Sequence, residues 1–351
     1  MKVSCLLPVR TLVTVLAGIL ASCSAGYGAE QVPQKAERPT EHSVNIQRIK
    51  TLDCKGPFIC RQETLLFITG DGKGYCLDLG DDPSSPVVLS DSLPHAWDIA
   101  VKDKLAFVAA NTQVLTVYDM ADGKTWRKIA ECRTPSGPEN VIVRDDLAYV
   151  AGCVRGFQII DIRDPKNPAI VGENKVSKQD IDAIGLVGHV AYLYDHLHGS
   201  LRLVDVTDPA NSKHLSLFKY GHPFIQGEMD VCCGFAYCVA GDHGVVIVDV
   251  RDSMAPKLAA AFDTPGHARD VIVSNGFAFV ADGEGGIRVA DVHNPGKPVE
   301  VGYFTSPDLN AQQLAVLGNL VYVANKPPQR AIIFRFDPPS KVDSQGRQQG
   351  S

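Results

Sequence analysis

The sequence lacks a surplus of basic charge. Its 34 Lys and Arg are outnumbered by 40 Asp and Glu, a formal charge of -6, which becomes -8 once residues 1–22, with Lys2 and Arg10, are set aside. Phosphate backbones are held by clustered Lys and Arg, so nucleic acid is excluded as an expected partner. Helix-length connectors are missing as well, which excludes a parallel α/β fold whose crossovers need ten or more helical residues. There is no G-x-S-x-G elbow, no H-E-x-x-H and no Gly-rich phosphate loop between a strand and a helix. C-x-x-C-H for haem and paired C-x-x-C for zinc or iron-sulfur are also absent. What is present, 45% hydrophobic and 21% charged residues over 351 positions, suits a globular protein with a large core. The 31 Gly and 22 Pro require a chain that turns often.

Residues 1–22 place Lys2 and Arg10 before an apolar stretch, 11–20, and then small residues, the layout of an export signal. That stretch falls short of the roughly 20 residues needed to span a bilayer. Leu20-Ala21-Ser22-Cys23 is similar to a bacterial lipobox, which implies a lipid on the Cys23 thiol and cleavage just before it. A plain secretory signal cut nearer Ala29 is the competing reading. The first places the protein on a membrane surface, outer membrane or cell surface, and the second in the periplasm. Residues 23–43 are expected to form a flexible tether, and 337–351 a disordered tail.

Between these ends one unit recurs: a short apolar run, a Gly-bearing turn, a second apolar run ending in Asp, then often Asp-Pro or Asn-Pro. FAFVADGEGGIRVADVHNPGKP from Phe277, FAYCVAGDHGVVIVDVRDSMAP from Phe235 and LAYVAGCVRGFQIIDIRDPKNP from Leu147 are copies of it. The register marks are Asp78, Asp119, Asp161, Asp205, Asp249, Asp291 and a degraded Arg335, at intervals of 41, 42, 44, 44, 42 and 44. Repeats of this length built from short strands predict a seven-bladed β-propeller, all-β, with four antiparallel strands per blade. In the sixth copy the expected strands a to d are 270–274, 277–281, 287–292 and 299–304. Asn275-Gly276 marks the a–b hairpin, and Asn294-Pro295 stops strand c. The last copy ends near Phe336 without a fourth strand, so residues 44–50 are predicted to supply it and remove the open edges of the ring.

GSLRLVDVTDP from Gly199, GVVIVDVRDS from Gly244 and GGIRVADVHNP from Gly285 resemble the LVIVD-repeat family of exported bacterial and archaeal propellers. The resemblance covers roughly residues 44–336, is clearest in copies three to six, and is weaker in copies one, two and seven. It implies fold and export, and carries no catalytic motif.

The repeated Asp ends strand c just before a turn, where a carboxylate accepts backbone N–H bonds, and is expected to be structural. The histidines are more informative. In a propeller the d–a and b–c connectors share one rim, which here collects His95, His222, His267, His196, His198 and His243. Asp98, Glu228 and Asp270 begin the innermost strands on that rim, with Asn140 and Gln313 at equivalent places, and Asp182, Asp195, Asp242 and Asp282 near. Arg155 and Arg269 could receive an anionic group there. The candidate ligand-binding set is therefore His95, Asp98, His196, His198, Glu228, His243, His267, Arg269 and Asp270. Carboxylates alone would suit calcium, and carboxylates with imidazole zinc or iron. No pair has compact ligand spacing, so no cofactor is required, and polar side chains lining a solvated channel are the plain reading. Of the ten cysteines, Cys54 and Cys60 are the expected disulfide, whereas Cys76 and Cys238 fall inside strands as buried thiols. The functional expectation is a non-catalytic binding scaffold for a protein, glycan or small ligand; the alternative is a metal-dependent hydrolase of the lactonase kind at the channel mouth.

Overall fold

The computed structural model describes residues 41–339 apart from 57, 70–73, 94, 111, 122–124, 153–155, 175–180, 222–226 and 327–329. The export, lipidation and tether expectations on residues 1–40, and those on His222 and Arg155, lie outside the described residues. Seven antiparallel sheets follow one another along the chain. Their innermost strands, a, are Phe58–Gln62, Asp98–Lys102, Pro138–Arg144, Ile181–Val187, Met229–Cys232, Asp270–Ser274 and Ala311–Leu317. The sixth copy has strands Asp270–Ser274, Phe277–Ala281, Ile287–Asp291 and Val299–Thr305, as the repeat register requires.

Each blade is sandwiched between two others, so strand b is buried on both faces and reads as an unbroken apolar run such as FAFVA or LAYVAG. The core lies between blades: Tyr237, Val239 and Ile247 of blade 5 pack against Val271, Val280 and Ala290 of blade 6. In blades 5 and 6 strand c begins after a glycine that no other residue could replace. A Cβ on Gly286 (φ +85°) would meet the Phe304 carbonyl oxygen at 2.1 Å, and one on Gly244 (φ +67°) the Phe262 carbonyl oxygen at 2.2 Å.

The recurring Asp is a turn-former. Oδ1 of Asp78, Asp119, Asp161, Asp205, Asp249 and Asp291 accepts the backbone N–H two residues on, at 2.8–3.1 Å. A second Asx turn follows at Asp82, Asp164, Asp208, Asp252 and Asn294. The c–d corner is thus built twice over from side chains that mimic backbone.

Ring closure comes from the N-terminal segment, and from more of it than expected. Strand β2 (Ile46–Leu52) pairs antiparallel with Arg330–Phe336 and completes blade 7. Strand β1 (His42–Val44) pairs with Val299–Thr305 as a fifth strand of blade 6. His42 and Ser43, assigned above to the tether, therefore belong to the propeller. The switch between sheets occurs at Asn45, whose φ is 55° and whose Nδ2 donates to the Val301 carbonyl. Arg48 then locks the junction through a two-pronged contact with Asp308, both N···O distances being 2.9 Å.

The expected Cys54–Cys60 bridge is not formed; both thiols are free. Cys54 is packed between blades 1 and 7, and the Cys60 Sγ faces the Ile99 carbonyl of blade 2 at 3.8 Å, so the two point into different blade interfaces.

Candidate functional site

The equivalent position at the channel end of the innermost strand is occupied, in blade order, by Phe58, Asp98, Asn140, Ala183, Glu228, Asp270 and Gln313. Phe58, Asp98 and Asp270 sit opposite the last residue of strand b in the ladder, and Asn140, Ala183 and Gln313 opposite the last but one, while the Glu228 carbonyl accepts the N–H of Val239, the last residue of its strand b. Four of these side chains reach into the next blade. Asp98 accepts the Val141 N–H at 2.9 Å, Asn140 the Ile184 N–H at 3.3 Å, Asp270 the Leu314 N–H at 2.7 Å, and Gln313 the Ile59 N–H at 3.0 Å. They act as clasps between blades. Phe58 and Ala183 have no oxygen to offer.

Blade 5 breaks the pattern. There the clasp is made by Asp230, whose Oδ2 accepts the Val273 N–H at 2.8 Å. Glu228 is released from that duty, and its Oε1 accepts instead from the Gln313 Nε2 at 3.3 Å, a side chain of blade 7. Since alternate strand residues share a face, Asp230 was recoverable from sequence as the partner of Glu228, and its role went unassigned above. Trp97 was missed for the opposite reason: nothing in its spacing distinguishes it from a loop residue, yet it packs its indole on Phe58 at 4.9 Å.

These groups line one cavity of about 330 Å³, with Asp98, Glu228, Asp230 and Asp270 as its carboxyls and Asn140, Gln313 and Trp97 among its other walls. Burial pushes Asp98 up to about 6 and Asp270 up to about 7, against the pull of their backbone N–H donors. Glu228 is raised well above the ordinary glutamate range, by burial first and then by the charges of Asp270, Asp98 and Glu139. Asp230 is raised by burial too. Near neutral pH the Asp270 carboxyl is therefore partly protonated, and burial favours the neutral form of Glu228, which can donate a hydrogen bond as well as accept one. A smaller pocket of about 80 Å³ adjoins it, lined by Glu228, Gln313, Arg269 and Lys326 among others. A carboxyl and two cations thus face one opening.

Of the sequence-predicted set, Asp98, Glu228 and Asp270 line the larger cavity, and Arg269 meets Glu228 at the smaller one. The histidines line neither. His95 is exposed and lies edge-on to Phe58. His267 Nδ1 is 2.6 Å from Asp242 Oδ1, and His198 Nδ1 is 2.9 Å from Asp195 Oδ2. His196 is buried against Asp182, and burial, with the neighbouring His198, holds its imidazole down to about 4. His243 sits exposed in the b–c loop of blade 5. Asp282 is fully buried, accepting from Thr264 Oγ1 at 2.6 Å and from the Gly266 N–H at 2.9 Å, and so braces its own loop. Among the described residues no three His, Cys, Asp or Glu side chains converge as a metal-binding group.

Five stretches of the chain, 95–122, 138–175, 229–264, 265–306 and 310–327, match the LVIVD repeat. The chain carries LVIVD repeats in blades 2, 3, 5, 6 and 7. Copies two and seven, expected to be weak, are matched, and copy four, expected to be clear, lies outside the matched stretches. No protein of curated function matches the chain. Among solved structures, the WD40 β-propeller domain of Doa1 is similar at 11% identity and a TM-score of 0.65, covering 82% of this chain and 96% of that one. The β-propeller domain of Cps50 (Swd1) from Myceliophteria thermophila is similar at 13% identity and a TM-score of 0.64, covering 83% and 99%. The computationally designed Ika8 protein is similar at 10% identity and a TM-score of 0.61, covering 82% and 98%. At such identities the likeness is one of fold alone.

Proposed function

We propose that this LVIVD-repeat β-propeller is a non-catalytic binding scaffold, exported and held at a membrane surface by lipid on Cys23, that takes a small polar ligand bearing an ammonium group at the mouth of its channel. The observation that carries this reading is the release of Glu228 from the inter-blade clasp in favour of Asp230. Where a carboxyl is needed only to join blades, one per blade suffices. Blade 5 has two, and the spare one faces a cavity that Asp98 and Asp270 make acidic. An ammonium group entering there meets Glu228, and its charge favours the ionised carboxylate. Arg269 and Lys326 at the adjoining pocket suit an anionic group at the other end of the ligand. His95, His196, His198, His243 and His267 stand on the surrounding rim and would contact only a ligand larger than the cavity.

Trp97 lines the cavity and serves as a reporter. Titration of the protein with lysine, spermidine and ethylenediamine is expected to change indole fluorescence and raise the melting temperature, and Glu228→Gln is expected to abolish both. If none of these amines acts on the wild type, or if they act equally on Glu228→Gln, the ligand reading fails. Tethering is tested separately: Cys23→Ser is expected to move the protein from the membrane to the soluble fraction, and retention at the membrane overturns the lipid reading. A metal-dependent hydrolase would need several converging donors, whereas Asp98 and Asp270 each commit an oxygen to a neighbouring backbone N–H.

A further inference from the structure

On the rim opposite the channel mouth, the a–b hairpin of blade 5 turns on a cysteine. Every blade turns this corner through a residue of positive φ: Glu63, Asp103, Asp145, Gly188, Cys233, Asn275 and Gly318, with φ between 51° and 61°. Asn, Asp and Gly are the residues that accept this conformation at least cost. Five of the seven are Asn, Asp or Gly; Glu63 and Cys233 are not, and Cys233 is the one that stands beside a second thiol. It follows Cys232, the last residue of strand a, and Cys232 pairs across the hairpin with Phe235.

Adjacent residues in a strand point to opposite faces, which ordinarily keeps neighbouring cysteines apart. Here the left-handed turn formed by Cys233 and Gly234 (φ 55° and 82°) swings the second side chain back toward the first, and the two Sγ atoms lie 3.0 Å apart. Cys233 is exposed and Cys232 half-buried. Cys54, Cys76, Cys132 and Cys238 are by contrast buried in the blades.

We propose that Cys232 and Cys233 are a thiol–disulfide exchange site that reacts with small disulfides such as oxidised glutathione and closes to a vicinal disulfide. In the first step Cys233 loses its proton to solvent, and its thiolate attacks one sulfur of the small disulfide. The small S–S bond breaks, one thiolate leaves and is protonated, and a mixed disulfide remains on Cys233. Cys232 then gives up its proton and attacks the Cys233 sulfur, and the second small thiol departs. Two protein S–H bonds are oxidised, and one small disulfide is reduced to two thiols. The division of labour follows exposure. Burial and the adjacent Cys233 push the Cys232 thiol up to about 12, which disfavours it as the first attacker. Once the mixed disulfide forms, its target sulfur is already in contact.

The test uses the full chain and oxidised glutathione, read by mass spectrometry. Residues 220–251 form one tryptic peptide containing Cys232, Cys233 and Cys238, so the buried Cys238 is an internal control. In the wild type this peptide is expected to lose two hydrogens and two alkylatable thiols, to carry no glutathione, and to recover both thiols with dithiothreitol. Cys232→Ser is expected to retain one glutathione on Cys233. A wild-type peptide that keeps all three alkylatable thiols, retains glutathione as stably as Cys232→Ser, or involves Cys238 overturns the proposal. Because the wild-type result alone decides, it does not depend on how the variant folds.

Discussion

Two positions recur in all seven blades and are used in contrasting ways. The end of strand c carries Asp six times and Arg335 once, and each Asp makes the same bond to its own turn. The channel end of strand a carries Phe, Asp, Asn, Ala, Glu, Asp and Gln. The first position answers to a local geometry that six of the blades repeat, and there it keeps one residue type. The second has two masters, the joint to the next blade and the contents of the channel, and it varies with both. A departure from the repeat is thus informative only where the geometry would have allowed repetition, and Glu228 with Asp230 is such a place.

The sharpest break of this comparison is Asp270→Ala. It strips the acceptor from the Leu314 N–H inside the blade 6 to 7 joint and is expected to cost about 1–3 kcal/mol in urea unfolding. Asp270→Asn keeps an oxygen for that bond and should lose clearly less. Equal losses in the two variants would show that the clasp bond is not what stabilises the joint.

The next effect is on pH. A carboxyl raised by folding stabilises the fold below its unfolded value near 4 and gives that up as pH rises through its folded value, here about 6 for Asp98 and about 7 for Asp270. His196, held at about 4, works in the other direction, since it opposes folding as pH falls below its unfolded value near 6.5. The carboxylate part is isolated by difference: the double variant Asp98→Asn, Asp270→Asn should gain on the wild type progressively from about pH 4 to about pH 7. Thermal melts across that range measure it, and a constant difference would rule out titration of the ring.

Smaller again is the corner. Asp249→Ala removes an exposed Asx turn and its contact with Arg251, and is expected to cost no more than about 1 kcal/mol. Combined with a corner change in a distant blade, its effect should add. The least effect on the fold belongs to Glu228→Gln, within about 0.5 kcal/mol, because burial favours the uncharged carboxyl that the amide mimics. If that variant instead destabilises as Asp270→Ala does, Glu228 is a blade joint and the contrast drawn above collapses.

The seven-fold architecture was legible because the strand period and the c–d Asp recur often enough to fix a register, and β2 because the seventh copy shows no fourth strand after Phe336. The three-residue β1 was not, since His42–Val44 is exposed throughout and bears no apolar alternation. At the site, the register placed Asp98, Glu228 and Asp270 at matching positions, and it could not say which oxygens the next blade would claim. The histidines entered on loop position alone. Loop position does not report where a side chain aims, and three of the rim histidines, His196, His198 and His267, turn toward the carboxylates of Asp182, Asp195 and Asp242.

The closing strand also sets an order in time. Ile46 pairs with Phe336, so one of the first segments of the propeller to be synthesised waits for the last before it can dock. Until then Ile46 and Leu52, buried in the finished ring, have no partner strand, and blade 7 has an open edge. Such long-range pairing is slow to form. A chain truncated anywhere before Arg330 carries both unpaired edges at once, and the finished ring is therefore the only stage at which the molecule is free of them.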